Sequence, residues 1–131
     1  MAHAYAHIAT VRYATRIAAG GHLITADEPP SNGGQNAGPA PYDLLLASLG
    51  ACTAITLKMY AERKQFDVTG IDVELQFIRN GDEQRIRRRL RIEGGLTDEN
   101  RARMAEIAER TPVTMTLNQG LPIQTELVAP T

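Results

Sequence analysis

Two stretches of the chain alternate apolar and polar residues with the period of a half-buried strand. Ile71, Val73, Leu75 and Phe77 alternate with Asp72, Glu74 and Gln76, and further on Ile86, Leu90 and Ile92 are set against Arg85, Arg87, Arg89 and Arg91. Asn80-Gly81 between them is a strong hairpin signal, so the two stretches are expected to pair antiparallel. Near the N-terminus, Tyr5, His7, Ala9, Val11 and Tyr13 share one parity, which predicts a first strand. Gly20-Gly21 then predicts a turn into a second strand around residues 22–26, and residues 28–38, rich in Pro, Gly and Asn, a loop.

A different pattern occupies the middle of the chain. No charged residue occurs from Leu44 to Leu57, and Lys58, Glu62, Arg63 and Lys64 mark a return to solvent. Gly38, Pro39 and Pro41 break what precedes. Pro41 suits a first helical turn, where its missing N–H would have had no partner, and Asp43 sits near the positive end of the helix dipole. The pattern predicts a long helix that is apolar on nearly every face and buried at the centre of the fold. A second helix begins at Thr97, the expected N-cap, with Asp98 and Glu99 in its first turn and Met104, Ile107 and Ala108 as its apolar stripe. It is expected to end near Arg110, because Pro112 disfavours helical geometry at Thr111. A short turn or helix and a final strand over residues 123–128 complete the prediction.

The order of strands, helix, strands, helix and strand reads as one α+β domain over residues 1–131, with mostly antiparallel pairing. A chain of this length buries roughly two-thirds of the surface of its unfolded form. One modest sheet and one amphipathic helix can hardly wrap an all-apolar helix, so a partner subunit is expected and a homodimer is favoured over a monomer.

Composition narrows the functions. Lys and Arg number 14 against 15 Asp and Glu, for a formal net charge of −1. That supplies no general field for steering towards nucleic acid or an anionic membrane. Trp is absent and aromatics are 5% of the chain, so base-stacking platforms are poorly supported. The apolar run from Leu44 to Leu57 is shorter than the about 20 residues that a bilayer needs. The segment before Asp27 holds Arg12 and Arg16 and no acid, as a transit peptide would, but it lacks Ser and has strand parity. The single cysteine, Cys52, excludes an intrachain disulfide and a zinc–cysteine cluster and fits a reducing compartment, so the cytoplasm is the expected address.

Several residues carry alternative readings. Cys52, in the apolar helix, reads as a small buried hydrophobe or as a nucleophile. The arginine row reads as an anion patch or as cross-strand partners of Asp72 and Glu74, the latter being the simpler account. His3 and His7 share a strand face about 13 Å apart, too far for one metal ion, and no metal or cofactor is expected. His22 reads as a hydrogen-bonded hairpin residue or a pocket donor.

The segment PYDLLLASLGACTAITLKMYAERK, followed by AERTPVTMTL at residues 108–117, resembles the OsmC/Ohr family of thiol-dependent peroxidases. The signature GPxPYxLLLASLGACT and an upstream His-x-x-x-x-Asp-Glu-Pro, here His22 to Pro29, are similar to one branch of OsmC-like proteins. The resemblance implies an intertwined homodimer in which two long central helices are wrapped by sheets, with active sites at the subunit interface. It implies that Cys52 is the peroxidatic cysteine, whose thiolate attacks the O–O bond and leaves a sulfenic acid. In the hydroperoxide-reducing members an Arg of the N-terminal hairpin and a Glu at the helix start favour that thiolate. Arg16 is the choice for the cation here, with Arg12 the alternative. The Glu position corresponds to Tyr42, with Asp43 beside it. The family's resolving cysteine corresponds to Thr111, which cannot condense with a sulfenic acid. The expectation is a one-cysteine enzyme that reduces a small-molecule peroxide and is recycled by an external thiol reductant. The rivals are a non-enzymatic dimer that holds an apolar ligand among Leu45, Leu49 and Met59, and a different thiol transfer in which Cys52 carries an acyl or persulfide group.

Overall fold

The computed structural model describes residues 1–130. Strands β1 (Ala4–His7), β2 (Thr15–Ala19) and β3 (His22–Ala26) precede helix α1 (Pro41–Lys64). Strands β4 (Val68–Asn80) and β5 (Glu83–Gly94) and helices α2 (Asp98–Ala108) and α3 (Pro112–Gln119) follow. The fold is α+β, with one three-stranded sheet in the order β1-β2-β3 and one two-stranded sheet, β4-β5. Two compact units are formed, Met1–Ser48 with Gln76–Ile86, and Leu49–Leu75 with Arg87–Thr131.

In the first unit β2 pairs with β3 around the Gly20-Gly21 turn, in the register Ala19↔His22 and Thr15↔Ala26. The single N-terminal strand expected from parity is instead two elements, β1 and β2, paired antiparallel with His7 opposite Arg16. Residues 1–13 are all exposed, so no buried face holds the alternation through residues 8–14. Asp27 organises the loop into α1. Its buried carboxylate accepts the backbone N–H groups of Glu28 at 2.7 Å, Ala37 at 3.0 Å and Gln35 at 3.2 Å. The Asp27 N–H donates to the Pro39 carbonyl at 3.1 Å, which closes the loop at its base. Gly38 is required there, since a Cβ on it would collide with the carbonyl oxygen of Thr25. At α1 itself the Asp43 carboxylate accepts the Ala40 N–H at 3.0 Å, the N3-to-N-cap half of a capping box.

The second unit holds the core. Helix α1 buries a single stripe, Leu49, Thr53, Leu57 and Ala61, spaced four apart. Leu57 and Ala61 pack with Met104 and Ala108 of α2, and Phe66, Val68, Ile71, Leu90 and Ile92 close around them. Within one chain the helix is thus not covered on every face, and Ile55 and Met59 remain more than half exposed. By length and composition α1 could cross a membrane, more than its uncharged stretch suggests, but its stripe forms the core and it reads as a core helix. Thr97 caps α2 as predicted, its hydroxyl accepting the Asn100 N–H at 3.1 Å, an interaction worth about 1 kcal/mol. Arg101 ties α2 to the end of β5 through the carbonyls of Ile92 and Gly94.

The β4–β5 hairpin turns on Gly81-Asp82, one residue later than the dipeptide suggests, with φ of +62° at Gly81. Arg89 meets Glu74 at 3.8 Å, which bears out the cross-strand account of the arginine row at that pair. Both side chains are largely exposed, so the pair adds little stability. The expected final strand does not form. Residues 120–130 have no regular pairing, and Ile123 and Leu127 are almost fully exposed. A strand pattern encodes which face is apolar, not an edge to pair with.

The Asp27 cluster predicts an acid-dependent loop. The N–H of Ala37, with those of Glu28 and Gln35, holds the Asp27 carboxyl below its ordinary value of 3.8, against the opposing effect of burial. A depressed folded-state value contributes stability that is full above the unfolded value and is lost as the pH falls through the folded one. Asp27→Asn is therefore expected to lower the unfolding midpoint at neutral pH and to speed amide exchange at Gln35 and Ala37. The gap from wild type should narrow steadily below pH 3.8. A gap that stays constant across that range would contradict this role.

Candidate functional site

Cys52 lies on α1 beside the buried stripe and is itself half-buried. Its Sγ accepts the backbone N–H of Val113 at 3.4 Å, and Thr56 Oγ1 stands 3.9 Å from the sulfur. Val113 is the second residue of α3, so its N–H is one of the donors that a helix start leaves without an intrahelical acceptor. Pro112 fills the first position, where no N–H is needed. The sulfur therefore faces the positive end of the α3 dipole.

Thr111 is the N-cap residue of α3 and is fully buried, in extended geometry at φ −67° and ψ 151°. Its hydroxyl does not cap the helix. It meets Thr114 Oγ1 at 2.6 Å and lies 3.4 Å from the Ala108 carbonyl. The junction between α2 and α3, which contains Thr111, is thus built against the helix that carries Cys52.

Arg88 holds this region. Its Nη1 donates to Thr53 Oγ1 at 2.9 Å and to Thr114 Oγ1 at 2.8 Å, and its Nη2 to the Ala108 carbonyl at 2.9 Å. The Thr53 O–H donates to the Leu49 carbonyl at 2.7 Å, which leaves its oxygen lone pairs free to accept. Glu109 adds a loose ion pair at 3.8 Å from the solvent side, while the Arg88 side chain is only 12% exposed. Arg88 was absent from the sequence-based candidates, although a signal existed. It falls on the parity of Ile86, Leu90 and Ile92, and a charge on a core-facing position demands partners.

The other sequence candidates lie in the first unit. Tyr42 stacks on Phe77 with ring centroids 4.6 Å apart. Its hydroxyl accepts from Arg79 Nη2 at 3.2 Å, and the guanidinium also sits 5.7 Å from the Tyr42 ring centroid. The arginine at Tyr42 is thus Arg79, at the end of β4, rather than Arg12 or Arg16. Arg12 lies over the Tyr13 ring at 5.9 Å, and Arg16 is exposed on β2 opposite Thr25. Asp43 is occupied as a helix cap. Of the three residues expected to line an apolar pocket, Leu49 is buried in the core and Leu45 half-buried. Met59 instead lines an open groove of about 480 Å³ with Ala54, Ile55, Val68 and Ile71, and Cys52 is not among its lining residues. Among the described residues no three His, Cys, Asp or Glu side chains converge as a metal site would require.

The sequence profile of the family described as OsmC-like protein matches residues 33–126, which contain Cys52, Arg88 and Thr111. The chain belongs to the OsmC-like family. No curated protein matches it in sequence. Solved structures share the fold of this OsmC-like chain at low identity. An OsmC-like protein from Mycoplasma pneumoniae superposes with a TM-score of 0.77 at 18% identity, over 90% of this chain and 87% of its own. An organic hydroperoxide resistance protein from Elizabethkingia anophelis gives 0.67 at 18%, over 88% and 86%. A protein of the same description from Legionella pneumophila, called OsmC, gives 0.63 at 19%, over 88% and 87%.

The shared fold places the one cysteine of the chain on its long helix. The geometry adds a thiol that is half-exposed, held by a main-chain donor, and backed by a buried cation one residue away at Thr53.

Proposed function

We propose that this OsmC-like protein is a one-cysteine, thiol-dependent peroxidase acting through Cys52. The observation that carries the reading is the Val113 N–H directed at the sulfur from the start of α3, which holds the half-buried thiol of the family's helix signature in one orientation. The thiolate attacks the distal oxygen of a hydroperoxide, the O–O bond breaks, and the leaving alkoxide takes a proton to become an alcohol. Cys52 is left as sulfenic acid. An external thiol then condenses with it, releasing water and forming a mixed disulfide, and a second thiol restores Cys52 and leaves as the small disulfide. Thr111 at the resolving position makes the external thiol necessary, since no second cysteine exists in the chain. A reducing compartment such as the cytoplasm supplies such thiols.

Two chains are proposed to pair over the open side of α1. Ile55, Met59 and Met115 are each more than half exposed in one chain, which is a large apolar area for a helix and its neighbour to leave in water. The groove at Ile55 and Met59 favours one second reading, a binding module that holds an apolar small molecule there, separate from the thiol.

Three outcomes are expected. One equivalent of an organic hydroperoxide should leave Cys52 as a sulfenic acid that a trapping reagent captures in the mass spectrum, and excess peroxide without thiol should carry it to sulfinic acid. An unmodified Cys52 would remove the peroxidase reading and leave the binding module. Thr111→Cys should yield a disulfide between Cys52 and the introduced cysteine, with less sulfinic acid, as read by non-reducing peptide mapping. Oxidation of Cys52 without that link would show that Thr111 does not stand in the resolving position. Sedimentation at micromolar concentration should give a dimer, and a folded monomer would contradict the pairing.

A further inference from the structure

We propose that Arg88 is the positioning residue for the Cys52 thiol, fixing the sulfur against the Val113 N–H. The inference deepens the peroxidase reading and rests on it for its functional meaning. Its physical content, however, is a contact that can be measured without any peroxide.

The contact has two sides that belong to different elements. Cys52 is on α1 and Val113 on α3, and neither helix dictates where the other lies. One nitrogen bridges them. Arg88 Nη1 carries two N–H bonds, of which one reaches Thr53, the residue after Cys52, and the other Thr114, the residue after Val113. Nη2 anchors the same guanidinium to the Ala108 carbonyl at the end of α2, so the junction that leads into α3 is fixed as well. Thr53 and Thr114 are both buried, and each accepts from the cation through a hydroxyl that has a second hydrogen-bond contact, Leu49 for Thr53 and Thr111 for Thr114.

Three properties make arginine suited to this task. Its fork is planar, so the directions towards Thr53, Thr114 and Ala108 are fixed relative to one another. It stays charged at every physiological pH, so the bridge persists whatever the state of the sulfur. It comes from β5, whose inward face packs on the core through Leu90 and Ile92, so the bridge is referenced to a rigid element rather than to a loop. Arg88 touches neither Sγ nor the Val113 N–H and acts through the two threonines.

The experiment compares wild type, Arg88→Gln and the double variant Thr53→Val with Thr114→Val. Two quantities are read, the rate at which iodoacetamide alkylates Cys52 at fixed neutral pH and the Val113 amide resonance in an ¹⁵N–¹H spectrum. Cys52→Ala provides the Val113 resonance without sulfur. Arg88→Gln is expected to move the Val113 resonance towards its position in Cys52→Ala and to slow alkylation about five- to tenfold, the worth of one hydrogen bond to sulfur. The double variant keeps the charge and the side-chain shapes and removes the two hydroxyls, with their contacts to Leu49 and Thr111 as well as to Arg88, so it should reproduce both changes. It also carries the test if Arg88→Gln does not fold. A folded variant in which the alkylation rate or the Val113 resonance stays at its wild-type value would overturn the proposal. Hydroperoxide consumption by the same proteins separates the two claims. If alkylation follows Arg88 while no protein consumes hydroperoxide, the positioning role stands and the peroxidase reading falls.

Discussion

A guanidinium buried among neutral oxygens governs the half of the molecule that carries the thiol. Arg88 is only 12% exposed in its side chain and has no close carboxylate, since Glu109 stands at 3.8 Å and is mostly in solvent. Such a cation is tolerable only if its donors are used, and three of them are, on Thr53, Thr114 and Ala108. Hydrogen bonds to a charged group are worth about 1.5–3 kcal/mol each. Truncation of Arg88 would also strand the acceptors it serves, so α1, the end of α2 and the start of α3 are joined as one arrangement. The hydrophobic stripe from Leu49 to Ala61 gives α1 its place against the sheet and α2, while the arginine specifies the geometry at the level of Cys52.

The chemistry at that level is small in number of atoms. A main-chain N–H and a threonine hydroxyl each stand within hydrogen-bonding range of the Cys52 sulfur. A main-chain donor at a helix start is a durable way to favour negative charge, because it needs no titratable partner and is held by the helix itself. Thr111 contributes packing and hydrogen bonds to the same junction, where a cysteine would contribute a second redox centre. The Tyr42–Phe77–Arg79 cluster lies in the first unit, where Tyr42 stacks on Phe77 and its hydroxyl accepts from Arg79.

Much of this was legible in the residues. The α1 boundaries follow from Pro41 and the Lys58–Lys64 charges, the hairpin from Asn80-Gly81, and the start of α2 from Thr97. The helix signature around Cys52 was specific enough to give the family. What escaped has physical reasons. The Val113 donor is a backbone group, and a backbone group leaves no mark in a sequence. Arg88 lay inside a run of arginines, where composition drew attention to the outward row and hid the one residue on the inward parity. Arg79 pairs with Tyr42 across 37 positions of sequence, a distance no periodicity spans. The first strand was overextended and the last one invented for a shared cause. Apolar alternation in residues 8–13 and 123–128 has no buried face within this chain to enforce it.

The central claim is that Cys52, alone in its chain, turns over hydroperoxide with help from outside. Its most direct test is the stoichiometry of hydroperoxide consumption, followed first without reductant and then with an added small thiol. The account predicts one equivalent consumed per chain, arrest, and then multiple turnover when the thiol is supplied, with Cys52→Ser inert throughout. Consumption that Cys52→Ser reproduces, or no consumption by the wild type, would contradict it.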